Sequence, residues 1–202
     1  MKPRNQQTLP IAKLLSALVI GVAVSSLTQS VNAADNVAVS NNKSIMALTA
    51  QLTRLRAMES QEKSNLENFD DLDFNVFSNQ KWPKLSKSHH HDIIVHNADG
   101  KIIRGLDAHI DDLKQIFVFA PDTRVISHPI RIAKDNWTAV QGEFTGTFSK
   151  PMPVDEGKTI APTNKAFKLY MVTIGRWEDG VMKEEWLYWD NQEFMRQLGL
   201  GQ

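Results

Sequence analysis

The chain has 202 residues, 42% of them hydrophobic, with 23 basic and 23 acidic side chains. A net charge of zero without a long Lys/Arg cluster argues against nucleic acid as a partner. The chain contains no cysteine, which excludes disulfides, thiolate metal sites and a lipid-modified cysteine.

Residues 1–33 read as a secretory signal peptide. Lys2, Arg4 and Lys13 are basic, Leu14 to Val24 is an uncharged apolar run, and Val31 and Ala33 stand where a signal peptidase reads. The run is shorter than the roughly 20 residues of a membrane span. Cleavage near Ala33 and a periplasmic or secreted location are expected, with the membrane met only through this leader. Its removal leaves 20 basic against 23 acidic residues in 169, enough for one domain with a real core. Residues 34–43 are small and polar and read as a linker, so the domain is expected over 44–202.

Ser44 is placed to cap a helix in which Ile45, Leu48, Leu52, Leu55 and Met58 recur at helical spacing. Leu66, Phe69, Leu72 and Phe74 suggest a second short helix, and Pro83 makes the following segment a loop. Residues 92–96, "DIIVH", read as a strand and "NADG" as a turn. Leu106, Ile110, Leu113 and Phe117 form one stripe of a helix that Pro121 ends. Four β-rich runs begin at Thr123, Trp137, Ala166 and Val181, with a hairpin turn at Asp179-Gly180 and a terminal helix after Asp190. Helices followed by antiparallel strands indicate an α+β domain, its sheet covered on one face by the early helices.

In the last strand, alternation puts Glu184, Trp186, Tyr188 and Asp190 on one face and Lys183, Glu185, Leu187 and Trp189 on the other. The first set joins two carboxylates to two rings. A carboxylate against apolar rings loses hydration, its pKa rises, and it becomes suited to general acid–base work. Asp190 is equally a favoured N-cap for the terminal helix, and the two roles are compatible. His89, His90 and His91 beside Asp92 invite a metal reading, with His96 and His128 as further candidate ligands. Adjacent residues of an extended chain point opposite ways, however, and no His pair at i, i+4 accompanies them on a predicted helix. A solvated, pH-sensitive loop is expected there, and no metal. His96 shares a strand face with Asp92 and Ile94.

The ordered set Arg176, Trp177, Gly180, Glu184, Trp186, Asp190, Arg196, Gln197, Leu198 and Gly199 resembles the C-terminal signature of the SnoaL-like polyketide cyclases. Asp92, His96 and Gly105, then Pro121, Asp122, Gly146 and Thr147, are similar to earlier segments of that family. The resemblance implies an NTF2-like cone, a curved antiparallel sheet packed around N-terminal helices. It also implies cofactor-free acid/base chemistry: proton abstraction next to a carbonyl, then aldol-type ring closure or isomerisation of an apolar, carbonyl-bearing small molecule. Asp190 falls at the acid/base position. His96, Trp186, Tyr188, Arg176, Glu184 and Asp92 are expected to bind substrate, with His96 or Arg176 steadying developing negative charge. Phe148 and Thr173 stand where many members have His, and Leu187 where many have Asp. Gln141 and Glu143 either replace those polar contacts or lie on an outer, solvated face. The alternative function is an exported, non-catalytic NTF2-like module that binds a small ligand, and a homodimer through the outer sheet face is common for such folds.

Overall fold

The computed structural model describes residues 31–154 and 157–201. The basic and apolar stretches of the expected leader lie outside them. Among the described residues no helix is long and apolar enough to cross a membrane. The chain divides into two units, 1–48 and 49–202.

No Gly or Pro interrupts residues 31–71, and they form one helix, α1 (Val31–Asp71). The helix therefore continues through the expected linker and beyond the point where its apolar pattern fades. Its stripe is exposed at Ile45, Leu48, Leu52 and Leu55. The periodicity marked a helix there without marking a buried face. A π-helical turn follows (Leu72–Phe77), and its i→i+5 bonding turns Leu72, Asp73, Val76 and Phe77 all inward. The expected loop around Pro83 is a 3₁₀ helix (Trp82–Lys87), with Pro at its start where no N–H is needed.

β1 (His89–His96) takes in the whole triple-His segment, which is strand and not loop. β2 (Ile102–Arg104) and α2 (Leu106–Phe119) come next, then β3 (Arg124–Lys134) and β4 (Trp137–Thr147). A small hairpin, β5 (Met152–Pro153) with β6 (Thr159–Ile160), occupies the Pro-containing segment. β7 (Ala166–Glu178), β8 (Val181–Tyr188) and α3 (Asn191–Leu198) complete the chain. The main sheet runs β2-β1-β8-β7-β4-β3, antiparallel except for the parallel pair β1·β8. Asp179 and Gly180 both take positive φ, 50° and 79°, in the expected hairpin between β7 and β8. The architecture is α+β, an open, curved and mostly antiparallel sheet.

The inner face of that sheet carries Val140, Phe144, Phe167, Leu169, Trp177 and Leu187, all buried. Trp177 satisfies its indole by donating to Thr138 Oγ1 at 2.8 Å. Phe148 is fully buried and meets Phe119 edge-on at 5.7 Å. α3 docks where β7 extends beyond β8: Gln197 accepts from the Lys168 N–H at 2.6 Å and donates to its C=O at 3.0 Å. That amide replaces a missing strand partner.

Phe148→Ala is expected to cost about 3–5 kcal/mol of stability, because its aromatic contacts have no substitute. Tyr170→Ala, on the exposed outer face, should stay within about 0.5 kcal/mol of wild type. Urea denaturation of both variants measures the difference.

Candidate functional site

Elements of the second unit enclose a cavity of about 350 Å³. That lies toward the small end of ligand sites, which run from about 300 to 1,000 Å³. Its walls are apolar: Leu72 and Phe77 from the π-helical turn, Leu113 from α2, Phe144 and Leu169 from the sheet, and Trp189. Asn97, Asp99 and Lys101 line it from the β1–β2 turn, and Lys101 is paired with Asp112 of α2 at 2.7 Å. Five further lining residues are buried and polar: Asp73, His89, His109, Thr173 and Glu185.

Asp73 reaches the cavity from the π-helical turn. Its Oδ2 meets His128 Nε2 of β3 at 2.9 Å, and His128 Nδ1 meets Asp70 Oδ1 at 2.7 Å. Asp70 is partly exposed and also pairs with Arg131. The His128 ring has only 2% of its side-chain surface exposed and packs against Phe74 and Phe69. Pro129 and two register shifts bend β3 here, as suits an edge strand. Burial raises the Asp73 pKa despite the opposing hydrogen bond and charge of His128. Burial alone would lower His128, but Asp73 and Asp70 together outweigh it and raise that imidazole above its ordinary value.

The second polar group joins three elements. His89 stands on β1, His109 on α2 and Glu185 on β8, with both His Nε2 atoms facing Glu185 Oε2, at 3.6 Å and 3.3 Å. Burial pushes the His109 imidazole down to about 4, with Glu185 opposing only in part, so the ring is neutral at physiological pH. Among the cavity residues, this trio is the set able to hold a metal.

The residues expected from the sequence fall elsewhere. Glu184, Trp186 and Tyr188 do share a face of β8, but it is the outer one; Glu185, Leu187 and Trp189 face the cavity. Glu184 bonds His96 at 2.9 Å and Arg176 at 3.2 Å, and His96 stacks on Trp186 with centroids 4.9 Å apart. Four of the expected site residues thus come together outside the cup. The His96 hydrogen bond, aided by Arg176, holds Glu184 below its ordinary pKa, opposite to the rise expected beside rings. Asp92 is exposed and pairs with His91 at 2.9 Å. Tyr188 is 48% exposed. Asp190 is exposed and caps α3, accepting from the Glu193 N–H at 2.9 Å, and it is not among the cavity-lining residues. The expectation of a pocket carboxylate at Asp190 is therefore corrected to the cap reading. Thr173 does line the cavity, whereas Phe148 belongs to the core. Glu143 lies on the outer face, bonded to Ser127 at 3.1 Å and paired with Lys168.

Sequence reading passed over Asp70, Asp73 and His109, considered His128 only as a further ligand beside the triple His, and put Glu185 on the face of β8 that it did not favour. Of the first three, His109 alone left a signal, standing three residues after Leu106 and four before Leu113, on the stripe already seen as buried.

Asp190→Ala should lose about 1 kcal/mol of stability by removing the cap, read as a lower urea midpoint, and leave ligand affinity in the cavity unchanged. The raised His128 pKa means that the folded protein holds this proton more tightly than the unfolded chain. That stabilisation is complete below about pH 6.5 and is lost as pH rises through the raised value. Thermal melting from about pH 6 to 9 should fall more steeply for wild type than for His128→Gln.

The fold has known relatives. A putative SnoaL-like polyketide cyclase from Jannaschia sp. CCS1 is 17% identical over 70% of this chain and 95% of its own, with a TM-score of 0.60. IdmH, a putative polyketide cyclase from Streptomyces antibioticus, is 21% identical over 67% and 98%, with a TM-score of 0.56. A protein of ketosteroid isomerase-like fold from Catenulispora acidiphila gives 12% identity over 67% and 92%, with a TM-score of 0.53. These likenesses establish the expected NTF2-like fold. No curated protein matches significantly. The model of the SnoaL-like polyketide cyclases matches residues 70–198, most of the chain, and the protein belongs to that family.

Proposed function

We propose that the protein is an enzyme that holds an apolar, carbonyl-bearing small molecule in the cavity and moves a proton on it through Asp73. One observation carries this reading: a carboxyl group with a raised pKa lines an apolar cavity, held by His128 and, through it, by Asp70. A carboxyl group whose pKa is raised by burial is suited to taking up and returning a proton. Asp73 as carboxylate removes a proton from the carbon beside the carbonyl, and the bond's electron pair moves onto oxygen as an enolate. The enolate carbon then attacks a second carbonyl of the same molecule, whose π pair moves onto its oxygen and takes the proton back from Asp73, closing a ring; or the proton returns from Asp73 to another carbon, completing an isomerisation. Neither route changes the oxidation level. His128 orients Asp73 and, with Asp70, provides a path by which the proton is shared toward solvent. Thr173 is a neutral hydroxyl donor among the lining residues, suited to the enolate oxygen.

The reading includes export, supported by the basic and apolar leader. It also includes a homodimer across the outer sheet face, where Ile130, Ile132 and Trp137 are exposed.

The test is a screen of enolisable apolar ketones and esters with wild type, Asp73→Asn and Asp190→Asn. Asp73→Asn should lose about 10²–10⁴-fold in turnover and retain ligand binding, while Asp190→Asn stays near wild type. Equal turnover by wild type and Asp73→Asn overturns the role of Asp73. Saturable binding without turnover by wild type puts the non-catalytic binding module in its place.

A further inference from the structure

We propose that His89, His109 and Glu185 form a binding site for a divalent transition-metal ion in the wall of the cavity. The inference is independent of the proton-transfer role given to Asp73.

All three side chains are buried, at 2%, 1% and 4% exposure. Yet His89 Nε2, His109 Nδ1 and Glu185 Oε2 have no hydrogen-bond partner among the described residues. Buried polar atoms are rarely left so; His89 Nε2 and Glu185 Oε2 face each other and mark a missing occupant, while His109 turns its other ring nitrogen, Nε2, to the same carboxylate oxygen. The local hydrogen bonds say what kind. Ser88 donates its hydroxyl hydrogen to the Leu85 carbonyl at 3.0 Å, and the same oxygen lies 2.9 Å from His89 Nδ1. The opposite tautomer would have Nε2–H donate to Glu185 across 3.6 Å, too long for a good hydrogen bond; with the Ser88 hydrogen on Leu85, the oxygen instead accepts from Nδ1–H. The opposite nitrogen, Nε2, then carries a lone pair, and it faces a carboxylate oxygen that also only accepts. Two acceptors buried face to face repel unless a cation or a donor hydrogen lies between them. Fixing the remote ring nitrogen in this way is also how metal-ligating histidines are oriented.

The distances fit. A metal bound at about 2.0–2.2 Å to imidazole nitrogen and carboxylate oxygen holds its ligand atoms roughly 3.0–3.5 Å apart. Glu185 Oε2 lies 3.3 Å from His109 Nε2 and 3.6 Å from His89 Nε2, and the three ligand atoms all fall within 4.8 Å of one another. Two imidazoles and one carboxylate select zinc, iron(II) or cobalt over magnesium and calcium, which prefer oxygen. Three protein ligands leave further coordination positions open, and all three residues line the cavity. An ion there would face a bound small molecule and polarise an oxygen on it.

A second cluster tests the specificity of this assignment. His90, His91 and Asp92 also bring ligand atoms together, but His91 and Asp92 are exposed.

The experiment takes the purified full-length protein, strips it with a chelator, and titrates it with Co²⁺ while visible absorption and metal content are recorded. The expected result is a single equivalent bound with d–d bands of a low-coordinate nitrogen–oxygen site, displaced by Zn²⁺, and a melting temperature that rises with metal. His109→Ala and Glu185→Gln should each weaken binding by about tenfold or more, and the double variant His90→Ala/His91→Ala should leave it unchanged. Circular dichroism confirms that each compared variant is folded, and the wild-type titration decides even if one is not. Absence of bands and of a melting shift in wild type overturns the site and leaves a water molecule or a shared proton as the occupant. Binding that survives in the folded cavity variants but is lost in His90→Ala/His91→Ala overturns it equally.

Discussion

Asp73 and Glu185 hold their carboxyl groups inside a cavity walled by Leu, Phe and Trp side chains. An ionised carboxylate without partners is costly in such surroundings, by several kcal/mol even after relaxation, on the order of the whole stability of a domain. The partners arrive from distant parts of the chain: His128 from the edge strand β3, His89 from β1, His109 from α2. Several local irregularities serve that convergence. The π-helical turn aims Asp73 inward, and the register shifts around Ser127 accompany the inward turn of His128. Gly142 lies beneath them: a Cβ there would crowd Val125 at 3.3 Å but meet His128 and Asp73 only at ordinary contact distance, 3.8 and 3.9 Å.

The two triads differ in how far that cost is offset. In Asp70–His128–Asp73 every contact is within hydrogen-bond distance, and the outer carboxylate meets Arg131 and solvent. In His89–His109–Glu185 the contacts are longer and buried atoms stay unpartnered. The first is complete as protein; the second is completed by something bound. One cavity thus holds a group suited to moving a proton and, beside it, a group suited to a cation.

The family signature describes architecture more than chemistry. Gly180 permits the β7–β8 hairpin, Asp190 caps α3, and Arg196 pairs with Glu193 within α3. Gln197 completes the β7 backbone, and Gly199 ends the helix at φ 78°. Glu184, Trp186 and Arg176 knit the outer face. Together these contacts hold the β7–β8 hairpin, α3 and the outer sheet face in place.

Sequence alone determined the periodicities: the helix of α1, the stripe of α2, four long strands, the Asp-Gly hairpin and the capped terminal helix. These rest on contacts between near neighbours, so local pattern is enough to reveal them. It also divided β8 correctly into two faces. It did not decide which face is inside, because both mix carboxylates with aromatic rings, and a charged residue is the poorest marker of burial. Only the tertiary structure decided that Glu185 and not Glu184 turns inward. It brought His109 against Glu185 across 76 positions of sequence and His128 against Asp73 across 55. Separations of that length leave no local trace. They exist because the sheet and the helix pack about one cavity, and the partners meet only once that packing has formed.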